Sequence, residues 1–367
     1  TMSLSIDQPI RYSDLLEIRH LKDGKIFLLK GKDGSNLVLK AEANVTGDRI
    51  KAAAPVLKAI DPTVRMKPID PSEIIEIEKF LKAWRKYVDF IEWAAGSGSN
   101  TPIANAEEFC MSELASCIRQ FGAVGPGGKT SIAKMSYVRM STLGIVLDVE
   151  RAALTDASWT EAREMFAKFI KALNKSGGLE KLGQIMAGDF FISNQDRFQS
   201  NGQGMGTMIH VQEPTDGKRK RSHVLKVLFN LNNIILVKPA KGKKTRPSML
   251  DYMDPNAMFS DIGQTVDALE AASVVKQDPK TWPMRVLIDR KERSTIAKNL
   301  ADDLAYILQP QPGNSFFGRG NVGGSGAAAR IEKGILQGIR AIAKALRAKQ
   351  GRLSIHVQSC YEQIKGV

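Results

Sequence analysis

"GDFFISNQDRF" (residues 188–198) runs the apolar side chains of Phe190, Phe191 and Ile192 into a polar turn of Asn194, Gln195, Asp196 and Arg197, then closes on Phe198. A single acid at such a tip has two readings. An Asp in a turn accepts hydrogen bonds from the backbone just after it. An acid held still by apolar anchors on both sides can instead take part in proton transfer with a bound hydroxyl. Asp189, inside the apolar lead-in, is read as a structural acid.

Upstream of this stretch the pattern is helical. Two helices are expected between 156 and 186, broken at "KSGG", the first with Trp159, Phe166 and Phe169 on its apolar side. Helices are also expected over 48–60, over 72–95 with Ser72 as N-cap behind Pro71, and over 105–122, stopped by Gly122. The N-terminal end reads as β: "KIFLLKGKDGSNLVLKAEA" (25–43) holds two apolar runs joined by Lys-Asp-Gly-Ser, a hairpin signal. "SIAKMSYVRM" and "GIVLDVE" read as strands. Downstream come a glycine-rich polar stretch (199–207), a basic one (216–223), and then strand, basic hairpin and strand. Helices resume at 260–276 and 290–308, and a basic helix over 331–349 and a short tail close the chain. This order predicts an α+β fold in two lobes.

Composition narrows the function classes. The hydrophobic share of 43% is enough to build one large or two smaller cores. The net charge of +14 and a pI near 9.6 suit phosphate-bearing ligands, anionic surfaces or acidic proteins without choosing among them. Cys110, Cys117 and Cys360 are an odd set with no zinc spacing, so reduced thiols and a cytoplasmic location are expected. Export into a host cell as an effector is compatible with this reading. No apolar run reaches the roughly 18 residues of a membrane span. No nucleic-acid motif is present, and the basic hairpin 238–246 is the expected patch for an acidic partner.

Several residues form a chemically coherent set. Asn233 precedes an apolar run in "NLNNIIL", and Asp251 ends one in "SMLDYMD". One acid to handle a proton, with an amide and a second acid to hold a divalent cation, is the set that phosphoryl transfer needs. Each residue alone also fits a turn. Lys40 ends "NLVLK", where an inward lysine would hold phosphates and pair with a helix glutamate. Glu108 is the first candidate for that partner, ahead of Glu107 and Glu113. The plainer alternatives are a strand-edge charge and a first-turn acid favoured by the helix dipole.

"GGLEKLGQIMAGDFFISNQDRF" followed by "NLNNIIL", with "EFCMSELA" (108–115) upstream, resembles the actin-fragmin kinase type of atypical protein kinase. That group belongs to the protein-kinase-like superfamily and is distantly similar to phosphoinositide and HipA-type kinases. The resemblance covers roughly 35–255 and is weaker over 44–104, read as a helical insertion. It implies a bilobal kinase-like fold, with a β-rich N-lobe over 1–140 and a mainly helical C-lobe over 141–367. It implies ATP and Mg²⁺ as cofactors and a protein serine or threonine hydroxyl as acceptor. By the same resemblance Asp196 orients the acceptor, Arg197 secures the loop or neutralises charge, and Lys40 holds phosphates and is held by Glu108. Asn233 and Asp251 coordinate Mg²⁺, with Asp254 as the alternative to Asp251. The chain departs from the pattern in lacking Asp-Phe-Gly and in the long separation of Asp196 from Asn233. "GKDGSN" (31–36) is the nearest thing to a phosphate loop. Transfer of AMP, a lipid or small-molecule acceptor, and a non-catalytic basic binding module (a pseudokinase) are the alternatives.

Overall fold

The computed structural model describes residues 2–22, 25–42, 47–62, 65–95, 102–121, 124–125, 128–129, 131–137, 140–142, 173, 177–192, 197–198, 208–212, 220–228, 235–237, 283–307, 326–353 and 355–367. The chain divides into two compact units, one of Thr1–Lys58 with Pro62–Tyr137 and one of Ala59–Asp61 with Val138–Val367. The strand expected at 144–150, the helix expected from 156 to the break at "KSGG" apart from the buried Leu173, the helix expected at 260–276, and the basic hairpin 238–246 lie outside the described residues.

The first unit is built on a five-stranded antiparallel sheet. Its strands are β1 (Leu15–Lys22), β2 (Ile26–Gly31), β3 (Asn36–Glu42), β4 (Met66–Pro68) and β7 (Ser131–Ser136), in the order β1-β2-β3-β7-β4; a short antiparallel pair, β5 (Val124–Gly125) and β6 (Gly128–Lys129), precedes β7 in the chain. The expected hairpin is β2–β3, turned by Gly34 at φ +83°. Only a residue without a Cβ adopts that angle at little cost. The stretch 44–104, expected to be a helical insertion, carries α1 (Gly47–Ile60) and all of α2 (Pro71–Ala95), but also the edge strand β4. Three residues ending in proline give no periodic signal, and pairing with β7 is what makes them a strand. The β1 strand was likewise not anticipated.

Along β3 the side chains alternate. Leu37, Leu39 and Ala41 enter a core shared with Phe27, Leu29 and Ile132 and with Cys110, Met111, Leu114 and Cys117 of α3 (Pro102–Arg119). Phe80, Leu81 and Trp84 of α2 pack against the same core. The start of α2 differs from expectation: the helix begins at Pro71, not behind a Ser72 cap. Proline is pre-shaped for a first helical position and has no N–H to leave orphaned there. Glu73, two residues on, reaches back to accept the Asp70 N–H at 2.8 Å, as in a capping box. The same carboxylate accepts the Ile10 N–H at 2.8 Å and an ion pair from buried Lys134 of β7 at 2.7 Å. Lys134 also donates to the Gln8 carbonyl, so this buried charge pair ties the N-terminal segment, α2 and the sheet together.

In the second unit the described part is mainly helical: α4 (Gly178–Phe191), α5 (Pro283–Ile288), α6 (Arg290–Ile307), α7 (Ala327–Arg347) and α8 (Ile355–Ile364). Small antiparallel pairs β9–β10 (Met208–Gln212 with Lys220–Val224) and β8–β11 (Met140–Thr142 with Ile235–Val237) accompany them. The expected tail is the helix α8, whose Val357, Cys360, Tyr361 and Ile364 are buried at helical spacing. The Cys360 thiol is pushed up to about 12 by burial, which keeps it neutral.

The basic helix expected at 331–349 is α7. It buries Ile331, Ile335, Ile339, Ile342 and Leu346. Its crossing with α4 is close enough to require glycine. A Cβ on Gly334 would lie 2.0 Å from the Glu180 carbonyl oxygen, and one on Gly183 would lie 2.2 Å from the Ile331 carbonyl oxygen. Arg330 closes one end of the crossing with a two-pronged ion pair to Glu180 at 3.0 and 2.9 Å. That guanidinium holds the Glu180 carboxyl below its ordinary range. We expect Gly334→Ala to lower stability by about 3 kcal/mol, because a backbone clash cannot be relieved by a rotamer change. Helix propensity alone predicts a gain of about 1 kcal/mol. Thermal unfolding decides: a raised or unchanged midpoint would contradict the close crossing.

Candidate functional site

The opening stretch is the end of a helix. Gly177, at φ +69°, precedes α4, and the helix runs through Asp189, Phe190 and Phe191 before Ile192 caps it. Every residue from Ile185 to Ile192 is buried. Asp189 and Arg197 are 0% and 1% exposed. Arg197 Nε donates to Asp189 Oδ2 at 2.7 Å, and Nη2 donates to Oδ1 at 2.9 Å. A planar guanidinium meeting a carboxylate in this fork is the most directional of the side-chain ion pairs. The chain that leaves α4 is thereby stapled back onto it across the polar turn.

A second anchor is Asp303 of α6, which is 0% exposed. Its Oδ1 accepts the Lys226 N–H at 2.9 Å, and its Oδ2 accepts the Val227 and Leu228 N–H groups at 2.8 and 3.0 Å. One carboxylate therefore satisfies three consecutive backbone donors, two of them buried and one half-buried, which would otherwise carry a desolvation penalty. Asp302 beside it takes the Lys226 ammonium at 3.1 Å. Leu228 in turn forms an isolated antiparallel bridge with Phe198. The buried residues Arg197, Phe198, Val227 and Leu228 thus form one knot between α4 and α6. Asp303 gave no signal in the sequence: "ADDLAY" reads as a helix with two solvent-facing acids.

Of the predicted site residues, Arg197 lies in this knot with its guanidinium turned to Asp189. Asp196, Asn233, Asp251 and its alternative Asp254 lie outside the described residues. The apolar strand expected after Asn233 is β11, which begins at Ile235. Lys40 lies in the first unit on β3, half-buried, on the sheet face opposite the α3-packed one. Its neighbours in register and along the strand are Ile26, Ala133 and Val38, and Val38 is flanked by Leu28 and Met135. Of these, Val38, Leu28, Ala133 and Met135 are buried. Glu108 is a residue of α3, and its side chain, like that of Glu107, lies outside the described residues. Glu113 is half-buried on the same helix.

The nearest candidate for a phosphate loop does not fit an anion. In "GKDGSN" the Gly31 N–H donates to the Ser35 carbonyl, and the Gly34 N–H to the Gly31 carbonyl. The Asp33 carboxylate accepts the Ser35 N–H at 3.0 Å. The Gly31, Gly34 and Ser35 donors are used inside the turn and the Lys32 N–H by the Asp14 carbonyl, and the Asp33 carboxylate adds a negative charge to the turn. Glycine and lysine content alone suggested the loop; only the hydrogen-bond directions show it closed. Among the described residues no group of three or more His, Cys, Asp or Glu is arranged to hold a metal ion, and no helix is long and apolar enough to cross a membrane. Comparison with protein-family models, curated proteins and solved structures gives no match to this chain.

Proposed function

We propose that the protein is an ATP- and Mg²⁺-dependent phosphotransferase with a bilobal kinase-like arrangement, and that it acts on a protein serine or threonine hydroxyl. The observation that carries this reading is the Phe198–Leu228 bridge with its two buried anchors. It ties the chain immediately after Asp196 to the chain leading into Asn233, although the two are far apart in sequence. An acid that orients the acceptor and an amide that holds Mg²⁺ must act on one phosphoryl group, so their supports need to be rigid and adjacent. Two further features support the reading. Lys40 stands on an inner strand of the sheet beside a largely apolar face, the setting for a phosphate-holding lysine next to a base. The α+β composition and the five-stranded antiparallel sheet fit a β-rich nucleotide-binding lobe.

In this reading Asp196 accepts the hydroxyl proton, Asn233 and Asp251 hold Mg²⁺ against the phosphates, and Lys40 neutralises them with Glu108 as its partner. Arg197 takes no part in the chemistry directly; it fixes the Asp196 turn through Asp189. Incubation with labelled ATP and a cell lysate tests this. Asp196→Ala is expected to lower labelling at least about 100-fold. Equal labelling by both proteins would remove Asp196 from the mechanism. The added mass on the product separates transfer of phosphate from transfer of AMP. Absence of a Mg-ATP thermal shift in the wild type would favour a non-catalytic basic binding module.

A further inference from the structure

Helix α7 has a side that neither its packing nor the proposed chemistry uses. With its isoleucines turned into the unit, its exposed residues are Ala329, Lys333, Gln337, Arg340, Lys344 and Arg347, and Lys349 and Arg352 are exposed beyond the helix end. At about 100° per residue the four helical cations fall within roughly 60° of one another, and they span about 21 Å. Of the nearby acids, Glu332 accepts a hydrogen bond from Ser294, Glu362 pairs with Lys365, and Glu180, which feels the charge of Lys333, is held by Arg330. None of the six cations makes an ion pair among the described residues. A straight row of like charges is self-repelling, and an anionic surface offsets that repulsion.

We infer that this face of α7 docks on an anionic lipid bilayer, through Lys333, Arg340, Lys344 and Arg347, with Lys349 and Arg352 extending the contact. Two features favour a bilayer over a nucleic acid. The row is straight, as a plane requires. Between the cations it carries only Gln337 and small residues, so it presents no aromatic platform for stacking bases. The apolar side of α7 is occupied by its own unit, so attachment is at headgroup level and wholly electrostatic, without insertion into the acyl region. Each cation near such a surface strengthens attachment roughly fivefold, and salt weakens it.

The experiment is co-sedimentation of the full chain with vesicles of phosphatidylcholine alone and with about 30% phosphatidylserine. Binding is expected only to the anionic vesicles, and is expected to be lost at about 0.5 M salt as the screening length shrinks. The quadruple variant K333Q/R340Q/K344Q/R347Q changes only exposed positions. It is expected to keep the wild-type thermal midpoint and to bind at least tenfold more weakly. Wild-type binding to both vesicle types alike, or to neither, overturns the proposal. So does equal binding by the variant. Retention on duplex DNA or RNA without retention on anionic vesicles assigns the row to nucleic acid instead. None of these readouts depends on ATP.

Discussion

Replacing Asp189 by alanine is expected to destabilise the second unit by about 3–5 kcal/mol, the cost of leaving one member of a buried ion pair without its partner. The Arg197 guanidinium stays charged at any pH at which proteins fold, so it cannot escape by losing its proton. With Arg197 1% exposed, water cannot replace the two hydrogen bonds at 2.7 and 2.9 Å without opening the end of α4. Arg197→Ala leaves the opposite charge buried, but a carboxylate can take up a proton. Its penalty is therefore expected to be smaller and to shrink as pH falls. The double replacement Asp189→Leu with Arg197→Met should recover most of the loss, because an apolar pair of similar volume needs no charge compensation. Urea denaturation of the four proteins measures this. A double variant no more stable than Asp189→Ala would show that the cost lies elsewhere. The activity readout is separate: if Arg197 only holds the turn, the refolded double variant keeps Mg-ATP binding while losing turnover through a displaced Asp196.

Asp303→Ala is expected to have the second-largest effect, on the order of 3 kcal/mol or more, because it orphans two buried N–H groups and a half-buried one at once. Its local signature is specific. Amide hydrogen exchange at Lys226, Val227 and Leu228 should lose protection, while exchange along α7 should change little. Asp303→Asn gives a graded result. An amide keeps one accepting oxygen and presents a donor where the other stood, so one side of the pattern of one bond to Oδ1 and two to Oδ2 is lost. If the three amides stay protected in the alanine variant, the carboxylate is not their anchor. Under the proposed function the same substitution should also reduce turnover, since the chain that follows these residues leads to Asn233.

These two anchors show the difference between what was legible and what was not. Asp189 and Arg197 both stand in the stretch first singled out, and Asp189 was read as structural. Their pairing needed the helix to end between them and the chain to double back. Asp303 was invisible because its three partners lie far away in sequence and are backbone groups, which carry no residue signature. The Lys134–Glu73 pair was missed for a related reason: a lysine in the strand "SIAKMS" reads as the polar side of an alternation until α2 is laid on that face. The closed Asp33 turn is the converse case, where composition suggested an anion site and hydrogen-bond directions exclude it.

By itself the sequence determined the local elements whose causes are local. The β2–β3 hairpin follows from Asp33-Gly34, the break before α4 from paired glycines, the apolar row of α7 from its period, and the α+β class from their order. Only the tertiary structure decided which groups meet. The sheet order β1-β2-β3-β7-β4, the glycine-tight crossing of α4 and α7, and the knot of Asp189, Arg197, Phe198, Leu228 and Asp303 all join residues distant along the chain. Such contacts depend on shape and on the satisfaction of buried polar groups, and neither is encoded at a fixed spacing.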